Sequence, residues 1–510
     1  MIVPEINFGI NIVEIVTKGL YTNALDALRE YVQNSCDATD DAVRAGILRE
    51  GDGEIKITID KDARRITIED NGIGISAAKD FLRIMSNIGN SDKDLKTDRG
   101  FRGIGRLGGV TYCKTLIFKT KVAGEKKIST LTINAEKLRE EFFSGNKRSA
   151  EQVLSKNMIF DALDADNDEH FFRVELLDIV ETNETLLDVV AVRNYLSFVA
   201  PVTYSSNFYY QTEIYKHAAE LDFKITEYRI EVNGEPLVKP YKINVRTRNG
   251  EDEIFGLDFR DFKDAEGNLI AWSWVGLSNF KGVLDQTRGT PDNMMRGIRL
   301  RQKNIQIGDE SIFQDLFAET RGTNYFIGEV HAVDTKLRPT SRRDDFELDK
   351  ACKVFREKLR EYFDELSNIY NAASDVRSML KAVNAPAKVQ KEFQSGKSKF
   401  QTRAELDAEL DRLNKTAETA QKKIINMREK AETDSLSPLS RVVVRMTSKE
   451  ITSPPANQPL QTPEDVENFP PVHWRKDLRK LYNAIKKIII ANPKLAGEKL
   501  LDKIKEELAK

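Results

Sequence analysis

Two periodicities alternate along the first 345 residues, and beyond them one prevails. Between Leu25 and Arg44, apolar residues recur three and four apart at Leu25, Leu28, Val32 and Cys36, the stripe of an amphipathic helix. Glu54-Ile-Lys-Ile-Thr-Ile-Asp60 and Arg65-Ile-Thr-Ile-Glu-Asp70 alternate apolar and polar residues around a short turn, which predicts a β-hairpin with one buried face. Residues 77–88 predict a helix, and 115–120, 128–133 and 171–177 predict strands. Residues 192–202 read as a helix and turn, after which a second α/β unit begins, with strands at 229–232, 271–275, 297–307 and 326–333. Past Phe346 the pattern is helical. Phe346, Ala351, Phe355, Leu359, Tyr362 and Leu366 form one stripe. Leu406, Leu410, Leu413, Ala417, Ala420, Ile424 and Met427 alternate four and three apart, a coiled-coil seam whose partner, in its own chain or another subunit, the pattern leaves open. Residues 435–472 are proline-rich and read as a linker, with one strand candidate at Arg441-Val-Val-Val-Arg445. Residues 473–510 predict a helical hairpin broken near Asn492-Pro493.

Composition narrows the picture modestly. A chain of 510 residues accommodates two to four domains by the usual scaling. The net charge of −2 gives no argument for nucleic acid. Cys36, Cys113 and Cys352 are too few and too scattered for a disulfide framework or a metal site, which suits a reducing compartment. His170, His217, His331 and His473 are equally dispersed. The longest apolar run near the end, Ile488-Ile-Ile-Ala491, is far short of a membrane span, and the start lacks the pattern of a signal peptide. The expectation is a soluble, cytoplasmic protein.

Three stretches carry candidate chemistry. On the first helix, Glu30 and Asn34 stand four apart and share a face, with Asp37 one turn later. Glu30 can take a proton from an attacking water, and the Asn34 amide oxygen suits a hard cation such as Mg²⁺ bridged to phosphates. Taken alone, the stretch also fits a solvated face with a helical i,i+4 pair. At the end of the hairpin, Asp70-Asn-Gly-Ile-Gly74 places a carboxylate where it can accept from an adenine amine, and Gly72 and Gly74 permit close backbone approach; a plain turn is the alternative. Asp98-Arg-Gly-Phe-Arg-Gly-Ile-Gly-Arg-Leu-Gly-Gly109 holds five glycines within ten residues, and its backbone N–H groups can cradle phosphates. It is neither a Walker A loop nor a dinucleotide fingerprint. Arg99, Arg102 and Arg106 could meet phosphate oxygens there, or be a solvated basic loop.

The order Glu-x-x-x-Asn-x-x-Asp-Ala, Asp-Asn-Gly-Ile-Gly, Gly-x-x-Gly-x-Gly within eighty residues resembles the GHKL (Bergerat-fold) ATPase superfamily. Over roughly residues 1–345 the likeness is greatest to the heat-shock protein 90 family, through Leu20-Tyr-Thr-Asn23, Leu28-Arg-Glu30 and Asn34-Ser-Cys-Asp-Ala38. It implies a GHKL α/β sandwich at 1–205 and an α/β transducer domain at 206–345; beyond these the likeness fades, and the pattern itself adds helices at 346–434, the linker at 435–472 and the hairpin at 473–510, for an α+β chain overall. The resemblance implies ATP and Mg²⁺ as cofactors. Glu30 would be the general base and Asn34 the metal ligand. Asn34, Asp37, Asp70, Gly72, Gly74, Ser91, Gly100, Phe101, Arg102, Gly103, Ile104 and Gly105 would bind nucleotide, the last six in a lid.

In the same family an Arg after a Ser, in a loop of the middle domain, reaches the γ-phosphate. Arg342 is the matching position, Arg343 the fallback, and Lys336 the counterpart of the lysine used in other branches. A Thr that assists adenine binding is replaced here by Phe172. The first strand, here Ile2–Phe8, can cross to a partner subunit, or simply edge its own sheet. The implied function is an ATP-gated, dimeric, chaperone-like clamp acting on protein clients. The alternative is a DNA-associated clamp of MORC or MutL type in genome maintenance or antiviral defence. That alternative lacks a zinc motif, a helix-turn-helix signature or a strongly basic domain.

Overall fold

The computed structural model describes residues 14–15, 23–76, 78–89, 103, 105–143, 148–165, 170–284, 294–394, 400, 403–448 and 474–491. The candidate residues Ser91, Gly100, Phe101, Arg102 and Ile104, with Arg99, lie outside them, as do Ile2–Phe8, His473 and the break at Asn492-Pro493. The chain divides into two compact units, Met1–Ser367 and Asn368–Lys510.

The first unit opens with helix α1, Leu25–Arg44, followed by strands β1, Glu54–Asp60, and β2, Arg65–Asp70. The hairpin has the register that alternation predicts: Ile55, Ile57 and Ile59 are buried on one face opposite Ile66 and Ile68. Helix α2, Ala78–Ser86, is followed by a 3-10 turn at Gly105–Thr111 and by strands β3, Cys113–Lys121, and β4, Lys127–Asn134. Helices α3, Ala135–Phe143, and α4, Ala150–Lys156, lead to β5, Met158–Asp164, and β6, Phe171–Ile179. The α4 helix starts with a reciprocal capping box between Ser149 and Gln152.

Helix α5, Val189–Val199, is capped by the Asp188 carboxylate, which accepts from the Val190 and Ala191 amides, and α6 follows at Gln211–Glu220. Strand β7, Arg229–Val232, and its short partner β8, Glu235–Pro236, complete one eight-stranded sheet, ordered β5-β4-β3-β6-β2-β1-β7-β8. Strand β7 runs parallel to β1. The sequence pattern put this strand at the opening of a second α/β domain; it extends the first sheet instead, and Ile230 and Val232 add to the core that already holds Ile55 and Ile57. Helix α1 lies across this sheet, with Leu28, Tyr31, Val32 and Cys36 buried.

A second sheet, ordered β13-β12-β14-β11-β10-β9, comprises β9, Asn244–Thr247; β10, Gly250–Lys263; β11, Leu269–Ser278; β12, Gly297–Gln302; β13, Ile305–Ile307; and β14, Ile327–Ala332. The run 297–307 is therefore a hairpin, turned by Lys303 and Asn304 at positive φ, rather than one alternating strand. Strand β14 pairs with β11 and β12 and is buried at every position, as a central strand covered on both faces must be.

Helix α7, Lys350–Gln394, begins in the first unit, with Phe355, Leu359, Tyr362 and Leu366 buried. Phe346 precedes the helix and bridges to Pro339. In the second unit, α8, Arg403–Thr433, buries Leu406, Leu410, Ala420 and Ile424 of its seam and packs against α9, Pro438–Ser448. Helix α9 overturns the strand expected at 441–445. Three adjacent valines favour a strand locally, but Ser437 caps the Ser440 amide at 3.2 Å and Pro438 suits a first helical position. Val442, Val443 and Met446 then form one buried face, so packing outweighs propensity. The last described helix is α10, Lys476–Ala491. No helix among the described residues is long and apolar enough to cross a membrane.

Candidate nucleotide site

The site is built against one face of α1. The turn after β2 is pinned to it: the Ile73 amide donates to the Ala38 carbonyl at 3.0 Å. Gly72 sits so close that a Cβ would lie 2.7 Å from the Ala38 carbonyl carbon, so only glycine fits. Gly74 has φ +68°, and a Cβ there would meet the Lys121 carbonyl at 2.9 Å. Asp70 is buried at the strand end, and its Oδ1 accepts the Gly72 amide at 3.0 Å. Asp37 is buried on the helix, while Glu30 and Asn34 are partly exposed. Gly105 approaches Glu30 so closely that a Cβ would lie 3.0 Å from Oε2. Gly72 and Gly105 thus lie against α1, which carries Glu30, Asn34 and Asp37, while Asp70 holds the Gly72 amide and Gly74 lies against β3. Gly103, at φ +68°, accepts from the Gly89 amide.

Several side chains here escape pattern reading. Thr120 is buried at the end of β3; its hydroxyl accepts the Ile75 amide at 2.9 Å and donates to the Phe171 carbonyl at 3.2 Å. Phe172 stands directly opposite Asp70 on β6 and opposite Thr120 on β3, with its ring against Phe118. The His170 Nδ1 lies 3.0 Å from the Gly72 carbonyl. The Tyr31 hydroxyl donates to the Arg106 carbonyl at 3.1 Å and accepts the Gly109 amide at 2.7 Å, tying the glycine segment to α1. The Arg106 guanidinium itself is turned to the Ile84 carbonyl, and burial lowers its pKa.

The loop after β14 reaches back to the same helix. The Arg342 side chain is exposed, and its carbonyl accepts from Arg29 Nη2 at 3.1 Å. The next residue, Arg343, is buried and places Nε 3.4 Å from Glu30 Oε1. Its φ of 57° is costly for a side-chain-bearing residue, and the loop holds it there: the Gly308 amide donates to the Arg343 carbonyl at 2.7 Å and the Arg343 amide to Thr340 at 3.1 Å. Adjacent residues thus face opposite ways, and it is Arg343 whose side chain meets Glu30. Lys336 is exposed, with its amide bonded to Asp334 Oδ1.

Comparison with known proteins agrees with this geometry. Residues 21–162 match the family described as histidine kinase-, DNA gyrase B- and HSP90-like ATPase. This segment is a GHKL-type ATPase domain. Similar curated proteins include the chaperone protein HtpG of Psychrobacter cryohalolentis, 34% identical over 132 residues, covering 22% of this chain and 20% of that protein. HtpG of Shewanella baltica is 33% identical over 135 residues, 22% of this chain and 21% of that protein. The chain spans about a fifth of the length of these relatives. The match spans α1, β1 to β4 and most of β5, while β6, β7 and β8 of the same sheet lie beyond it; ATP binding is a property of that family.

The residues present fit a nucleotide with a divalent cation. Glycine is required by backbone contact at Gly72 against α1 and at Gly74 against β3, an acid is buried at the strand end, and α1 carries the Asn34 amide. No group of three or more His, Cys, Asp or Glu among the described residues could hold a metal by itself, so a cation here would rely on Asn34 together with phosphate oxygens.

Proposed function

We propose that the chain is a Mg²⁺-dependent ATPase working as an ATP-gated, dimeric clamp on protein clients, in the manner of the HtpG chaperones that its nucleotide domain resembles. The observation that supports this best is the meeting of Glu30 with Arg343, a residue some 310 positions later in the chain, at 3.4 Å. A hydrolytic acid is thereby answerable to the domain that follows the nucleotide fold.

Each residue has a role consistent with its placement. Asp70 accepts from the adenine amine and is held by the Gly72 amide. The glycines at 72, 74 and 105 admit the nucleotide, and the glycine-rich stretch up to Gly105 supplies backbone N–H groups to the phosphates. Asn34 offers its amide oxygen to the cation, which neutralises phosphate charge when bound. Glu30 takes the proton of the attacking water. Arg342, exposed on its loop, is the guanidinium that reaches the transferring phosphoryl group, while Arg343 orients Glu30. Hydrolysis then depends on how the loop at 340–345 meets α1, and ATP favours the closed state by its differential affinity for it.

Two measurements on the full chain test this. Asp70→Asn is expected to weaken ATP binding by calorimetry about tenfold to a hundredfold, the worth of one hydrogen bond to a charged group. The mass in solution is expected to double on adding Mg²⁺ and a non-hydrolysable ATP analogue. Unchanged affinity would remove adenine from Asp70, and an unchanged mass would remove the dimeric clamp.

A further inference from the structure

Arg29 occupies an unusual position on α1. It lies beside Glu30 and one turn after Asp26, and its planar guanidinium spans three acceptors. Nη1 is 3.5 Å from Asp26 Oδ1, Nε is 3.7 Å from Glu30 Oε1, and Nη2 donates to the Arg342 carbonyl at 3.1 Å. The side chains of Arg29, Asp26 and Glu30 are only 6, 18 and 14% exposed, so these pairings act with little screening by water. Two carboxylates therefore compete for one fork, and a fork can grip only one of them in the strong bidentate fashion.

The competition is biased from outside the helix. The Tyr195 hydroxyl, carried on α5, donates to Asp26 Oδ1, the same oxygen that faces Arg29. Desolvation drives the Tyr195 pKa well up, so this hydroxyl keeps its proton and remains a donor. Meanwhile the ion-pair contacts of Arg29 and Arg343 with Glu30 are to Oε1, at 3.7 and 3.4 Å, while Oε2 is the oxygen nearest Gly105.

We propose, resting on the ATPase reading above, that Asp26 and Tyr195 are positioning residues for hydrolysis. They anchor Arg29 to the Arg342 loop and keep its fork from closing over both oxygens of Glu30. Without the Asp26 charge, Arg29 turns to the remaining carboxylate and pairs with both oxygens. Oε2 is then covered on the side where an attacking water must deliver its proton. The nucleotide contacts at Asp70 and Gly72 are elsewhere, so binding is spared. The same anchor links α5 to the catalytic helix, which gives α5 a say in the rate.

The test compares Asp26→Asn, Tyr195→Phe and Asp26→Glu in the full chain, by steady-state ATPase kinetics and ATP calorimetry. Asp26→Asn is expected to lower kcat about tenfold, with KM and the ATP dissociation constant within twofold of wild type. Tyr195→Phe, which removes one oxygen, is expected to lower kcat about threefold in the same pattern. Asp26→Glu restores the charge and is expected to recover most of the loss. In an Arg29→Met background, Asp26→Asn is expected to add nothing. An unchanged kcat in Asp26→Asn, a matching loss of ATP affinity, a full Asp26→Asn effect without Arg29, or no recovery with glutamate would each overturn the proposal. Glu30→Ala separates the two levels. If it abolishes turnover while Asp26→Asn is normal, only this inference fails; if it turns over normally, the ATPase reading loses its base.

Discussion

Among the carboxylates of the first unit that meet arginine, Glu329 and Glu30 do so in opposite ways. Glu329 on β14 has no exposure at all. It accepts from the Tyr241 hydroxyl at 3.0 Å, from Lys239 Nζ at 3.2 Å, and from Tyr204 and Arg301. The shell is itself braced: Lys239 also donates to Asn304 at 2.8 Å, and Arg301 to the Phe198 carbonyl at 2.8 Å. Burial works against the Glu329 charge, yet Arg301 and Lys239 hold its pKa well below the usual carboxylate range. Glu30, by contrast, is part-exposed, and its arginines stand off at 3.4 and 3.7 Å. A saturated acid binds elements together, because every lone pair is spoken for. An acid with long contacts is held less completely and is left for chemistry. The difference between structure and reactivity here lies in how completely the carboxylate is satisfied.

The largest effect expected from this contrast is on folding. Glu329→Ala leaves Arg301 and Lys239 buried without their anion, and should cost about 3–5 kcal/mol in denaturant unfolding. The loss of Glu30, whose arginine contacts are longer, should cost less than that by the same measurement. Similar losses for the two would erase the distinction.

Next comes a pH effect confined to the buried cluster. His331 stacks on Trp272 with ring centroids 4.3 Å apart, and burial pushes its imidazole pKa down to about 4. In the unfolded chain the ring titrates near the ordinary 6.5. Between those values the unfolded state binds the extra proton, so stability falls as pH drops from about 6.5 to 4, by roughly 3 kcal/mol at most. His331→Gln should flatten that window in unfolding measured across pH. An unchanged slope would assign the loss to other groups.

The smallest structural perturbation sharpens the comparison at Glu30 itself. Arg343→Met should lower kcat about tenfold by leaving the acid less well oriented, and Arg342→Met should lower it at least as much if that side chain serves the phosphoryl group. ATP affinity distinguishes the two, since only an arginine on phosphate should weaken binding when lost. Equal affinities in both variants would take Arg342 off the nucleotide.

Legibility followed the same divide between local pattern and tertiary pairing. The strands at 54–60 and 65–70 could be bounded to the residue because alternation and a buried face coincide there. The face of Glu30, Asn34 and Asp37 was readable because helix spacing alone places those residues together. The Glu329 cluster was not, since Tyr204, Lys239, Arg301 and Glu329 come from distant segments and Ile327–Ala332 shows no alternation when every position is buried. Nor could Arg343 be told from Arg342, because a positive φ at one residue of a loop leaves no periodic trace. The helix at Pro438–Ser448 hid behind three valines, although Ser437-Pro438 ahead of them was the available signal.

The central claim is that Glu30 is an acid reserved for hydrolysis rather than for holding the fold together. Glu30→Ala in the full chain, measured for both ATP binding and turnover with Mg²⁺ present, tests it most directly. The account predicts a dissociation constant within about threefold of wild type and a kcat at least a hundredfold lower, the usual worth of a positioned general base. Normal turnover with normal binding would contradict it.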